Sequence, residues 1–278
     1  MSTGGKRQVV AQLNELGIRP SKKLGQSFLI DPNLIEKMVR TAGAGGWYPI
    51  VEIGPGLGDL SCALLNTGAE VTGVELDRRL CEYLREISER EPRFHLIEGD
   101  ACRVDYDRIM GEQLYRTVSS LPYSASTPII GRFLEIRNCP EQMVVLLQRE
   151  VGERLCASPK DNKTYGSLSV RAQHAYHVQI ESYAPPDVFY PSPQVHSALV
   201  RMTAKSPFPS QEERLALRKV CEVGFRHRRK KLRSALIQEY GERRTTDVFT
   251  RLNLAEDLRP EALTPDTFRA LALALHED

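Results

Sequence analysis

The run Val51-Glu52-Ile53-Gly54-Pro55-Gly56-Leu57-Gly58 constrains this chain more than any other stretch. A short apolar segment precedes it, and a helical pattern over residues 57–66 follows it. Glycines at such a junction allow a tight turn and let a ligand approach the backbone closely. The strand–turn–helix pattern then repeats. Residues 70–74 read as a second strand and 78–89 as a second helix; 94–97, 117–118 and 142–147 read as three more strands. Strands alternating with helices imply βαβ units, a parallel sheet and helices on both of its faces. Residues 178–182 and 197–202 read as late strands, expected to be antiparallel.

The segment Ser206-Pro207-Phe208-Pro209-Ser210 breaks this alternation, because proline blocks regular structure on both sides. Beyond it the pattern is purely helical. Leu215, Val220 and Val223 suit one helix, and Leu232, Leu236 and Ile237 the next; 247–252 and 265–275 suit two more. The expectation is an α/β domain over residues 1–205 and a small helical domain over 206–278. A chain of 278 residues with 41% apolar side chains can bury such a core without metal or disulfide staples. Its six cysteines are scattered singly with no C-x-x-C pair, which suits reduced thiols in a cytoplasmic protein and no metal site. No apolar run approaches the ~20 residues of a membrane span, and the N-terminus lacks the apolar core of a secretory signal.

Two carboxylates extend the glycine loop into a candidate ligand site. Glu75 lies 21 residues after Gly54, at the end of the second strand, where it can accept hydrogen bonds from both hydroxyls of a ribose. Asp100 ends the third strand and can accept from an adenine amino group. Gly54, Gly56, Glu75 and Asp100 thus suit adenine, ribose and a tail without phosphate, which points to S-adenosylmethionine. A nicotinamide dinucleotide is the alternative, although the loop reads G-x-G-x-G where dinucleotide enzymes carry G-x-G-x-x-G.

Ser120-Leu121-Pro122-Tyr123 follows the fourth strand, and with it the chain resembles the adenine dimethyltransferases of small-subunit ribosomal RNA, relatives of the erythromycin-resistance methylases. The likeness spans nearly the whole chain. Lys23-Leu24-Gly25-Gln26-Ser27-Phe28-Leu29 is similar to the family's K-x-x-G-Q-N-F-L, and Gln148-Arg149-Glu150-Val151 with Arg154 to its Q-x-E-V-x-x-R. Tyr165 to Val170, Pro185 to Ala198 and Phe225 to Arg233 also fit. The resemblance implies a Rossmann-like class I methyltransferase domain carrying a small C-terminal all-helical domain. It implies dimethylation of two adjacent adenosines in a 3′-terminal hairpin loop of 16S rRNA, linked to 30S biogenesis, by a monomer without metal or membrane.

In that family the reaction motif is N-L-P-Y, and the resemblance assigns roles along it. Ser120 and the Leu121 carbonyl would accept the two N–H bonds of the target amine. Pro122 would stiffen that carbonyl. Tyr123 would stack on a base drawn out of its helix, and Phe189 would supply a second aromatic wall. Ser27 and the Leu29 backbone would contact the methionine part of the donor. The chain departs from the family at two of these places, with Ser120 and Ser27 standing where the family has Asn. A hydroxyl accepts a hydrogen bond but is shorter, so the alternative is an assembly or nucleic-acid-binding factor of the same fold with weak or no catalysis. A large-subunit methylase of the resistance type is a further rival; residues 166–170 and 226–233 favour the small-subunit branch.

Charge by position fits an RNA partner better than the total of +2 suggests. Residues 1–30 hold a net of +4 and residues 205–278 a net of +3, which leaves about −5 for the middle. Arg226, Arg228, Arg229, Lys230, Lys231 and Arg233 stand within eight residues with no acid among them. With Lys22 and Lys23 near the N-terminus, they are the expected contacts to phosphates of small-subunit rRNA or a 30S precursor particle.

Overall fold

In the computed structural model the described residues are 5–21, 24–161, 163–226 and 230–277. In chain order the elements are α1 (Lys6–Glu15), β1 (Phe28–Leu29), α2 (Pro32–Thr41), β2 (Ile50–Ile53), α3 (Asp59–Leu65), β3 (Val71–Glu75), α4 (Arg78–Arg90), β4 (Phe94–Glu98), α5 (Tyr106–Met110), β5 (Arg116–Ser120), α6 (Ser126–Phe133) and β6 (Gln142–Gln148). There follow α7 (Arg149–Cys156), α8 (Ser167–Ala175), β7 (Tyr176–Ala184), β8 (Phe189–Tyr190), β9 (Ser197–Ala204), α9 (Gln211–Phe225), α10 (Leu232–Tyr240), α11 (Glu242–Arg251) and α12 (Pro265–His276). No helix among the described residues is long and apolar enough to cross a membrane.

The chain forms two compact units. The first comprises Met1–Phe133, Asn138–Gly152 and Gln179–Thr203; the second comprises Leu134–Arg137, Glu153–Val178 and Ala204–Asp278. Packing therefore groups two earlier segments with the C-terminal helices, where chain order alone marks the break at 206–210.

The first unit is built on a sheet of order β4-β3-β2-β5-β6-β9-β7. The pairs β3–β4, β2–β3, β2–β5 and β5–β6 are parallel, and β9 runs antiparallel to β6, as expected of a late strand. Every residue of β2 and β3 is buried, the mark of central strands covered on both faces. The main core joins sheet residues Val71, Val118, Val144 and Leu146 to Ile35, Met38, Leu64 and Leu84 of the flanking helices. Because β2 has β3 on one side and β5 on the other, the strand order reverses there, and a crevice opens at the strands' carboxyl ends.

The second unit has its own core, with Leu217, Val220, Leu232, Leu236, Phe249, Phe268 and Leu271 fully or almost fully buried. Phe225 stacks on Phe268 with centroids 5.4 Å apart, and the Tyr165 hydroxyl donates to the Leu263 carbonyl at 2.8 Å. Arg214 explains why residues 134–137 belong here. Its buried guanidinium donates to the carbonyls of Leu134 and Ile136, both at 2.9 Å.

Gly73 shows how tightly the first unit is packed. A Cβ there would lie 3.0 Å from the Phe94 ring and 3.1 Å from Pro55, and Phe94 is itself 1% exposed. Gly73→Ala is expected to lower unfolding free energy by about 1–3 kcal/mol in denaturant melts, with little change in m-value.

Candidate functional site

Each wall of the crevice is set by local sequence. Gly54 and Gly56 have φ of +66° and +61°, a region that side chains disfavour. A Cβ at Gly56 would also meet the Phe28 ring at 3.2 Å, whereas Gly54 faces open space. The loop is held by Glu75. One of its carboxylate oxygens accepts from the Gly56 N–H at 3.2 Å; the other accepts from Leu76 at 2.9 Å and Asp77 at 3.0 Å. Asp77 then caps α4 and accepts from the Gln26 amide at 2.8 Å, and Gln26 accepts from the Ser21 N–H at 2.7 Å. This chain of bonds ties the N-terminal segment to the end of β3. β1 pairs antiparallel with β8, which sets Phe28 opposite Tyr190 and Leu29 opposite Phe189.

The opposite wall comes from β5. Ser120 is its last residue, opposite Leu146 of β6, and the Leu121 N–H donates to the Leu146 carbonyl at 2.8 Å. The preceding Ser119 is fully buried, and its hydroxyl accepts from the Ile53 N–H at 2.8 Å. The Tyr123 hydroxyl shares a 2.5 Å hydrogen bond with buried Ser197. Its ring meets Phe189 at 75° with centroids 6.1 Å apart. Phe189 is 3% exposed, so the two rings form a corner rather than parallel walls.

One cavity collects Ser27, Leu29, Gly54, Gly56, Glu75, Asp100, Ser120, Leu121, Pro122, Tyr123 and Phe189, the full set expected from sequence for donor and base. The basic set is spread differently. Lys22, Lys23, Arg228 and Arg229 lie outside the described residues. Arg226, Lys230 and Lys231 are exposed, while Arg233 is partly buried and donates to the Thr246 hydroxyl at 2.7 Å.

Glu52 and Asp59 also line the cavity, and sequence reasoning passed over both. Burial pushes the Glu52 carboxyl from 4.5 up to about 8, against the opposing effect of a 2.5 Å bond from Ser61. Burial likewise raises Asp59 to about 6, and raises Glu75 against its three backbone donors. The available signal was an acid inside an otherwise apolar strand, Val51-Glu52-Ile53. Among the described residues that line the cavity there is no Lys, Arg or His, against four carboxylates. Such a lining suits a cationic ligand, of the S-adenosylmethionine type that the methyltransferase fold takes.

Residues 18–274 match the family model described as ribosomal RNA adenine dimethylase. The chain belongs to this family. A ribosomal RNA small subunit methyltransferase A of Hahella chejuensis is 38% identical over 261 residues, covering 92% of this chain and 93% of the relative. One of Chlamydia abortus is 36% identical, covering 98% of this chain and 97% of the relative. Among solved structures, a dimethyladenosine transferase from Plasmodium falciparum superposes with TM-score 0.71 at 20% identity, covering 87% of this chain and 94% of that one. The 23S rRNA methyltransferase ErmE superposes with TM-score 0.64 at 22% identity, covering 90% and 100%. These two structures share the Rossmann-like class I methyltransferase fold.

For this dimethylase-family chain the buried acid makes stability depend on pH. Glu52 keeps its proton when folded and loses it when unfolded throughout the window from 4.5 to about 8, so stability falls as pH rises. Denaturant melts of the ligand-free protein are expected to lose on the order of 2–3 kcal/mol between pH 6 and 8, and Glu52→Gln is expected to remove most of that slope. A slope unchanged by the substitution would place the effect elsewhere.

Proposed function

We propose that this chain transfers methyl groups from S-adenosylmethionine to the N6 atoms of two adjacent adenosines in a 3′-terminal hairpin loop of 16S rRNA. It does so on a 30S precursor particle, in the cytoplasm and as a monomer. The observation that carries this reading is one cavity, lined among the described residues by four acids and no basic side chain, that also contains the whole Ser120-Leu121-Pro122-Tyr123 turn. Family membership supports the same reaction, since relatives carry the name ribosomal RNA small subunit methyltransferase A.

The bound donor would supply an electrophilic methyl group on a sulfonium. Glu75 would hold its ribose; the oxygen that bonds only Gly56, at 3.2 Å, keeps a lone pair for a hydroxyl. Asp100, whose other oxygen accepts from the Cys102 N–H at 2.9 Å, would take the adenine amino group. Gly54, Gly56, Ser27 and Leu29 would flank the methionine portion. On the far side, Ser120 and the Leu121 carbonyl accept the target amine's two N–H bonds. These acceptors would expose its conjugated lone pair for attack; the N–C bond would form as the C–S bond of the sulfonium breaks to leave a neutral thioether, and the proton of the methylated amine would then pass to solvent. The attacking amine is neutral, so it needs no strong base at the outset. Pro122 fixes the carbonyl and Tyr123 receives the base, with alignment supplying most of the rate. The helical region over 206–278, with Arg226, Lys230, Lys231 and the expected Lys22, Lys23, Arg228, Arg229 and Arg233, would grip rRNA phosphates.

The decisive experiment incubates the protein with labelled donor and unmethylated 30S particles and maps the label. Label at two adjacent adenosines is expected; donor binding without label would leave an assembly factor. Glu75→Ala is expected to weaken donor binding by about 1–3 kcal/mol in calorimetry, and unchanged affinity would refute the ribose role.

A further inference from the structure

We propose that Ser197 is a positioning residue for methyl transfer that acts through Tyr123, an inference that rests on the reaction proposed above. The link follows from the register of three strands. Ser120, the last residue of β5, stands opposite Leu146 of parallel β6. Two residues further along β6, Gln148 stands opposite Ser197, the first residue of antiparallel β9. The Ser120-Leu121-Pro122-Tyr123 turn therefore leaves β5 beside the end of β6, with the start of β9 on the other side of β6. The main chain of the turn is fastened to β6 by the Leu121 N–H, which donates to the Leu146 carbonyl at 2.8 Å. The Tyr123 side chain reaches β9, where its hydroxyl shares a 2.5 Å hydrogen bond with the Ser197 hydroxyl. The Tyr123 carbonyl is held as well, accepting from the Ser126 hydroxyl at 3.2 Å. Ser126 and Ser197 are both fully buried.

Tyr123 is thus tied at both ends, at its carbonyl and at its phenol oxygen. The anchored oxygen fixes the long axis of the ring, and the edge contact with Phe189, at 75° with centroids 6.1 Å apart, opposes rotation about that axis. Burial holds the phenol above its ordinary pKa, so it stays protonated at neutral pH and keeps its place in the bond. A ring held in this way meets the base in one orientation and delivers the amine to Ser120 and the Leu121 carbonyl at one angle. Alignment of that kind matters, since a misplacement of ~1 Å can cost ~100-fold in rate. Stacking itself belongs to the face of the ring and not to its hydroxyl. Loss of the anchor therefore acts on alignment, which kcat reads, and spares the affinity for the particle, which KM reads.

The test uses the full chain, unmethylated 30S particles and the methylation assay. Ser197→Ala is expected to lower kcat about tenfold at saturating particle, with KM for the particle and donor affinity matching the parent. Tyr123→Phe removes the same bond from its other end and keeps the ring, so its kcat should fall by a similar factor. Combining the two substitutions should cost no more than either alone, because one bond can be lost only once. Parent-like kcat in Ser197→Ala overturns the proposal. So does a double variant whose losses multiply, which would show Ser197 acting on the strand and not through Tyr123. A loss carried by KM alone overturns it too. Donor affinity reports folding; should Ser197→Ala lose it, Tyr123→Phe decides, a tenfold fall upholding the anchor and parent-like kcat overturning it. A parent that leaves particles unlabelled defeats the methyl-transfer reading itself, whereas an active parent with parent-like variants defeats only the role of Ser197.

Discussion

The Glu75 carboxylate accepts three backbone N–H groups, from Gly56, Leu76 and Asp77, and the geometry of the crevice depends on those bonds. They lock the glycine loop after β2 to the turn after β3, two segments that the parallel sheet brings side by side but does not itself connect. Each donor is a loop or helix-start group with no partner in the sheet ladder, so the carboxylate satisfies what the fold leaves open. The same turn places Asp77 to cap α4 and to hold Gln26. Through Gln26 and the β1–β8 pair, the N-terminal segment is drawn against the cavity.

Burying acids beside one another costs free energy unless a counter-charge arrives. Glu52 and Asp59, both raised by burial, sit behind the glycine loop with no basic side chain in the cavity lining among the described residues. The fold alone does not gain from this arrangement. A cationic ligand does, because it restores the ionised forms and is attracted by them. Strain of this kind is concentrated where function requires it, while the surrounding sheet is packed as an ordinary core.

Much of this was legible because parallel α/β folds write their sites at strand ends. Gly54, Glu75, Asp100 and Ser120 are each the last residue of a strand pattern or its sequel, and strand periodicity locates them without any long-range knowledge. The bond between Tyr123 and Ser197 was not legible, since those residues stand 74 apart and meet only through the β6–β9 register. The corner between Tyr123 and Phe189 likewise depends on where β8 docks. The proline-rich break at 206–210 is a local signal, whereas the placement of residues 134–137 rests on Arg214 reaching carbonyls some 80 positions earlier.

The two serines that end β5 divide their labour by strand alternation. Successive side chains point to opposite faces, so Ser119 turns into the sheet, where it is wholly buried and takes the Ile53 N–H, while Ser120 lines the cavity. A longer side chain at 119 would break the link between β5 and β2. At 120 no such bond constrains length, and the wall of the site is set instead by the Leu121 N–H bonded to Leu146. The Leu121 main chain is thus held by the sheet itself, independently of the side chain beside it. The side chain at 120 can consequently change without moving the Leu121 main chain from where the fold puts it.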